Sequence, residues 1–396
     1  MGQTGRPSGR PFSFWRVCVP TGYTPIYRIY KGGVDITDRF NDRCTQIKVD
    51  LTAGGGDSDH CTITLDDRDW AISRPFPGET LGIWLGYEEI GLAFMGTFNI
   101  SDVIFTGPPR AIQLVGESAG LNDLQKAPVV KEFANQSLGD ILGSMAGQSG
   151  LGSAIGGNLA GITIPFKNQI TSNYHMIHEL ERMYGAVAKV VNGQLLFIKR
   201  DGLKSASGVD MATLILNPAH FGQWSVKHSS RPTAGSVQAS WWDDKDMIRR
   251  WVDHAAGGKD SGGQTFGGPV QLGGVFNSAA EALAAAQSKM EALKRAEMTA
   301  KFDLAKGDPW IRDQQAILVT GMRDGIDGGF LVDKATHTYV RSSGIKTTLE
   351  CKASGPGDNL ALASKEFLQP IGNETVGDLL SHGLVPPNIK DIYPIM

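Results

Sequence analysis

Apolar and polar residues alternate along much of this chain with the period of a half-buried β-strand. Ile47, Val49 and Leu51 mark one run, Cys61, Ile63 and Leu65 a second, and Leu81, Ile83 and Leu85 a third. Phe94, Phe98 and Ile100 continue the pattern across Gly96, and Ile112 and Leu114 close it. A period of two puts one face of each strand in a core and the other in solvent, as in antiparallel sheet. Gly54-Gly55-Gly56, Pro75 to Gly78 and Gly107 to Pro109 separate the runs with turn formers at the spacing of a sandwich or barrel. A comparable series comes later, at Trp224 and Val226, at Val237, Ala239 and Trp241, at Ile317 and Val319, and at Ile345, Thr347, Leu349 and Cys351.

Between the two series the period changes. Ser137 caps a helix with Leu138, Ile141, Leu142 and Met145 on one face, and the glycines from Gly147 onward end it. Thr171, Ser172 and Asn173 are N-cap types ahead of a second helix, whose apolar face is Tyr174, Ile177, Leu180 and Tyr184 and whose stop is Gly185. Ala186 to Val191 and Gln194 to Lys199 are β-rich runs joined by Asn192-Gly193, the pair that favours a two-residue type I′ turn. Ser278-Ala279-Ala280-Glu281 reads as a capping box for an Ala-rich helix. Leu283, Ala286, Met290 and Leu293 lie on one face of it as it runs toward Gly307-Asp308-Pro309.

The chain therefore divides into a polar tail (1–11), a first β domain (12–125), an α+β insert of two helices and a hairpin (126–205), a second β domain with a long helix at 278–305 (206–354), and a C-terminal extension (355–396). The expected fold class is mainly β with an α+β insert. Leu384, Val385, Ile389, Ile392 and Tyr393 make the extension too apolar for a free linker and too short for a core, so it is expected to form an interface.

Composition adjusts this picture in a few places. With 396 residues, 41% hydrophobic and 20% charged, the chain is long enough for two or three cores, and 50 glycines with 19 prolines agree with many turns. A net charge of -3 lacks the basic stripe of a specific nucleic-acid binder. Arg6 and Arg10 make the first ten residues locally basic, and these are too polar for a signal peptide. Cys18, Cys44, Cys61 and Cys351 are spaced irregularly, which fits buried thiols in a reducing compartment and neither a disulfide framework nor a zinc site. Residues 141–166 are uncharged, but seven glycines with Gln148 and Asn158 suit a helix and Gly-rich loop and no stable membrane insertion.

Several motifs invite chemistry. Gly116-Glu117-Ser118-Ala119-Gly120 is a literal GxSxG, yet the strands before it alternate as antiparallel ones do, whereas a hydrolase nucleophile sits above a parallel sheet. Gly150, Gly152 and Gly156 miss the dinucleotide fingerprint by one position and follow a helix instead of a strand. His175 and His178 with Glu179 have a spacing of three where a zinc helix needs four, and read as surface polar residues. Asp243, Asp244 and Asp246, like Asp66, Asp67 and Asp69 with Arg68, read as charged turns without a calcium loop's glycine and distal glutamate. No catalytic, cofactor or metal residue is assigned. The alternative function is a hydrolase, either an esterase through Ser118 or a cell-wall hydrolase.

The order of the elements carries a resemblance. SLGDILGSMA, the Gly-rich loop, NQITSNYHMIHELERMYGA, VVNGQLLFIK, SAAEALAAAQSKMEALKR and GGFLVDKATHTYVRSSGIKTTLE follow one another over residues 12–353. This arrangement resembles the late control protein D family, the baseplate hub of contractile-tailed bacteriophages, which is similar to the N-terminal hub part of type VI secretion VgrG proteins. Gln169 through Gly185, Asp333 to His337, and Thr347 to Glu350 are the most family-like pieces. Thr171-Ser172-Asn173 departs from the Glu-Ser-Asp run of many relatives, and no repetitive spike follows.

The resemblance implies a homotrimer of two similar small β-barrels per chain, hence a pseudo-sixfold ring around a channel. It joins a hexameric tail tube to a trimeric spike. Other baseplate proteins and a tape measure protein in the channel are further implied partners. The implied location is the virion tail baseplate, after assembly in the bacterial cytoplasm. Near-neutral charge suits a conduit that DNA crosses without sticking.

Overall fold

The computed structural model describes residues 23–54, 58–70, 72, 77–118, 127–191, 193–200, 213–229, 234–255, 268–323 and 326–353. The polar tail 1–11, Cys18, Asn192 and the extension 355–396 with Leu384, Val385, Ile389, Ile392 and Tyr393 lie outside these residues.

The first β region contains β1 (Pro25–Lys31), β2 (Val34–Asp35), β3 (Cys44–Thr52), β4 (His60–Asp66), β5 (Thr80–Tyr87), β6 (Gly91–Thr106) and β7 (Ala111–Ser118). The middle of the chain gives β8 (Lys131–Ser137), α1 (Leu138–Gln148), β9 (Gly152–Ile155), α2 (Gly157–Ala160), β10 (Thr163–Gln169), α3 (Asn173–Tyr184), β11 (Ala186–Val191) and β12 (Gln194–Lys199). The remainder is β13 (Leu214–Leu216), β14 (Phe221–His228), β15 (Ser236–Asp243), β16 (Ile248–Ala255), β17 (Pro269–Phe276), α4 (Ala279–Glu297), β18 (Met298–Leu304), β19 (Ala316–Val319), β20 (Gly328–Val340) and β21 (Gly344–Ala353).

The two β regions share one sheet. Thirteen strands follow the path β14-β18-β21-β20-β3-β4-β7-β6-β5-β1-β2, with β19 on β20 and β13 on β19. The join is β20, whose one edge pairs with β21 from Phe330 to Val340. Along its other edge Gly328 to Leu331 pair with β19, and Lys334 to Val340 pair with β3. A single apolar cluster accordingly contains Ile47, Ile63 and Ile83 together with Phe302, Phe330 and Leu349. Each such fully buried side chain contributes roughly 1.5–3 kcal/mol relative to exposure. The described pairings form an open path and close no barrel.

The alternating residues of β3, β4, β5 and β7 are buried as the pattern predicts. β6 differs. Ala93 and Met95 are buried before Gly96, and Phe98 and Ile100 after it, because a register shift opposite Ile83 and Trp84 and a φ of 147° at Gly96 change the strand's phase. Phe94 is therefore turned to the other face, where it packs on Trp84 with ring centroids 4.5 Å apart.

The insert has its own core of Phe133, Leu138, Ile141, Leu142, Met176, Leu180 and Phe197. Ser137 caps α1 by accepting from the Asp140 amide, and Ser172 caps α3 by accepting from that of His175. Gly185 ends α3 in the left-handed region at φ 60° and ψ 37°. Met176, Met183 and Glu181 join Ile177, Leu180 and Tyr184 on the buried side of α3, while Tyr174 is only partly buried. The supposed Gly-rich loop is partly ordered secondary structure. β9 runs parallel to β12, and β10 pairs antiparallel with β8. Val191 pairs with Gln194, which leaves two residues for the turn, and Gly193 there has φ 73°.

The long helix ends at Glu297 and not near 305. MTAKFDL continues as β18, with Ala300, Phe302 and Leu304 buried at a period of two, and pairing to β21 outweighs helix continuation. Ala282, Ala286 and Met290 pack on Val237 and Ala239 of the small β16-β15-β17 sheet, whereas Leu283 is exposed. Alanines on this face let helix and sheet approach closely. Among the described residues no helix is long and apolar enough to cross a membrane.

Candidate functional site

The strongest concentration of buried charge lies where the first β region, the insert and the second β region meet. Lys189 is the charged residue within the apolar run of β11, and its strand is buried on both sides, so its ammonium needs partners inside. Its Nζ lies 2.8 Å from Asp59 Oδ2 and 3.0 Å from Asp313 Oδ1, with all three side chains about nine-tenths buried. Asp59 belongs to the segment leading into β4, and its Oδ1 accepts from the Thr52 amide at 2.8 Å. Arg312 stands beside them and donates to the Phe94 carbonyl. Burial pushes the Asp59 carboxyl above its ordinary range, with Lys189 opposing and Asp313 reinforcing. Desolvation works against the Lys189 ammonium, but the two carboxylates outweigh it and raise its pKa.

These groups line a pocket of about 670 Å³, with Leu151, Val190 and Ser118 among its walls. Two carboxylates against one ammonium and one guanidinium leave it balanced, which suits a clamp between three parts of the chain. A second polar tie lies nearby. Arg200, just after β12, donates to the Ala53 carbonyl at 2.7 Å and to Asp333 Oδ1 at 3.1 Å, and Lys352 holds the other oxygen of Asp333 at 2.7 Å. Gly54 fits between the regions because it has no side chain. A Cβ there, at φ 68°, would lie 2.6 Å from Glu181 Oε1 and 2.8 Å from Val187 Cγ1.

Ser118 does not stand as a nucleophile. Its hydroxyl donates to the Val190 carbonyl at 3.2 Å, at the buried end of antiparallel β7. Gly150 lies in the turn after α1, Gly152 in β9 and Gly156 before the four-residue α2, so the three glycines form no phosphate cradle between a strand and a long helix. Glu179 binds Lys167 at 2.6 Å. His178 is less superficial than the sequence suggests, since its Nδ1 lies 2.6 Å from the buried Glu181 Oε2. Arg250 pairs with Asp243 at 2.6 Å and with Asp246, and closes the β15–β16 turn. Arg43 binds Asp69 through both terminal nitrogens, at 2.7 and 2.6 Å. Cys44, Cys61 and Cys351 are buried free thiols, and burial pushes that of Cys61 up to about 12. No cluster with the make-up of a metal site occurs among the described residues.

The most family-like pieces prove to be partners in space. His337 and Thr347 face each other across β20 and β21, with Nδ1 3.0 Å from the threonine Oγ1, while Nε2 lies 3.0 Å from the Ile311 carbonyl. Gln169 donates to Asn173 Oδ1 at 2.8 Å, and Asn173 donates to Gln148 at 3.0 Å, a buried chain that fixes the start of α3 on the end of α1. The sequence offered little warning of the Asp59–Lys189–Asp313 clamp. A lysine within AVAKVV was its one signal, and spacing alone supplied no partner.

No family model matches the chain. It is similar to the probable baseplate hub protein of Escherichia phage 186, 25% identical over 368 residues that cover 83% of this chain and 93% of that protein. The probable baseplate hub protein of Escherichia phage P2 is 25% identical over 362 residues, covering 83% and 92%. Among solved structures, the 43 kDa tail protein of prophage MuSo2 from Shewanella oneidensis shares the fold with a TM-score of 0.61, at 15% identity over 84% of this chain and 99% of that one. The resemblance to phage baseplate hubs read from the sequence is borne out.

Proposed function

We propose that this chain is a structural hub protein of a phage-like tail baseplate. The observation that carries the reading is similarity to two probable baseplate hub proteins along nearly the whole of their length. The architecture supports it, because the buried Asp59–Lys189–Asp313 clamp, the Ser118 hydroxyl on the Val190 carbonyl and the Ser288 hydroxyl on the Arg182 carbonyl join regions of the chain to one another. The hydrolase alternative has no observation in its favour, since Ser118 spends its hydroxyl on a backbone carbonyl.

The finer proposal is a homotrimer whose two β regions per chain form a pseudo-sixfold ring around a channel, with a hexameric tail tube on one face and a trimeric spike on the other. Among the described residues β14 has a sheet neighbour on one side alone, and the edge of β1 beyond β2 is likewise open, so pairing between chains would cover them. Other baseplate proteins, and a tape measure protein in the channel, are the remaining proposed partners. The place of action is the virion tail, with assembly in the bacterial cytoplasm. Native mass spectrometry of the chain, alone and with candidate spike and tail tube proteins, tests this reading. A species of three times 42.5 kDa that captures both partners is the expected result. A monomer that captures neither overturns it.

A further inference from the structure

A second depression, of about 650 Å³, lies between the C-terminal half of α3, α4 and β17, away from the Lys189 clamp. Its floor is apolar, with Met183, Leu272, Phe276 and Ala285. Its rim is basic. Glu179 is already engaged by Lys167, Glu181 is hydrogen-bonded to His178 and the Ala188 amide, Arg200 and Lys352 share Asp333, and Arg295 is a further cation of the rim. Arg182 makes only a 3.3 Å contact to the His178 carbonyl, and Lys289 has no acidic partner among the described residues. Gly273 on the β17 wall has open space where a side chain would be. The cleft therefore presents an apolar floor under a rim with more basic than acidic groups.

We propose that this cleft is the docking site of the chain's own segment 374–395. Three observations favour that occupant. The described chain runs out at Ala353, one residue beyond Lys352, which itself lines the cleft, so the chain that leads to the segment departs from the rim. Twenty residues lie between Ala353 and Glu374, far more than a span across a cleft of this size requires at about 3.3 Å per extended residue. The segment also has matching chemistry, with Leu380, Leu384, Ile389 and Ile392 for the floor and Glu374, Asp378 and Asp391 against one Lys390 for the rim. The other end of the chain does not fit, because residues 1–22 carry Arg6, Arg10 and Arg16 and no acid. Docking would bury apolar surface that would otherwise stay exposed and would place the acids near Arg182 and Lys289.

Site-specific photo-crosslinking in the full-length chain tests the assignment. Ala292 is exposed and lines the cleft, so replacing it with benzoylphenylalanine leaves the core intact. Irradiation is expected to join position 292 to a peptide within 374–395, in a product that migrates as one chain and forms equally at low and high protein concentration. Lys289→Glu should lower the yield about two- to fivefold, and Asp378→Lys in that background should recover part of it, because surface charge pairs have modest strength. A product of twice the chain mass would show that a second copy supplies the occupant. Crosslinks to other peptides, or none above those of a benzoylphenylalanine placed at exposed Trp242, would likewise overturn the proposal. A circular dichroism melt confirms that each variant is folded.

Discussion

Lys189 shows at the residue scale how one side chain decides the geometry of a junction. Its ammonium stands between two carboxylates from distant parts of the sequence, and removing it leaves both of them buried with neighbouring Arg312 as the cation shared between them. Lys189→Met is expected to lower stability by about 3–5 kcal/mol in urea unfolding, and adding Asp59→Asn and Asp313→Asn should recover much of that loss. His337 gives the molecule a dependence on pH. Burial, helped by Arg312, pushes its pKa from the usual 6.5 down to about 4. The unfolded chain then binds the extra proton first as pH falls. Stability is full above pH 6.5 and is lost as pH drops toward 4, by roughly 3 kcal/mol at most. Unfolding midpoints at pH 7 and 4.5 measure this, and His337→Gln, which keeps both hydrogen-bond positions, should flatten the difference.

At the element scale, α4 does more than fill a gap. One side meets the insert core through Ala285, and another meets Val237 and Ala239 of the small sheet. Ser278 caps it by accepting from the Glu281 amide at 3.2 Å, while Glu281 reaches back to the Asn277 amide, one residue earlier than a capping box requires. Ser278→Ala should cost about 1 kcal/mol, read as a lower thermal midpoint without loss of helical signal. The caps, the Gly185 stop and the strand alternation were legible because they are local. The end of α4 was not. An Ala-rich stretch followed by MTAKFDL satisfies helix propensity beyond Glu297, and pairing with β21 on one side and β14 on the other makes the strand preferable. The phase change at Gly96 was hidden for the same reason, since a bulge is defined by the strand opposite.

At the scale of the whole molecule, the two β regions are one sheet joined through β20, and the insert is tied to both of them by Lys189 and Arg200. Buried ion pairs add little net stability, because desolvation offsets their attraction, but losing one partner is costly, so these ties resist separation of the regions they join. If the chain trimerises, its unfolding midpoint should rise with protein concentration, because assembly stabilises the folded state by mass action. Calorimetry over a hundredfold concentration range checks that, and a constant midpoint would speak against a reversible trimer.

Sequence alone determined the alternating strands β3, β4, β5, β7, β15 and β21, the hairpin strands β11 and β12, the three principal helices, their caps and the order that resembles a tail hub, since each depends on residues within one or two turns or on alternation along a strand. Tertiary structure decided that β3 and β20 pair across nearly 300 residues, that His337 faces Thr347, and that Asp59 and Asp313 meet at Lys189. Those contacts follow from which edges and charges remain unsatisfied once the local elements have formed, and no spacing along the chain records that.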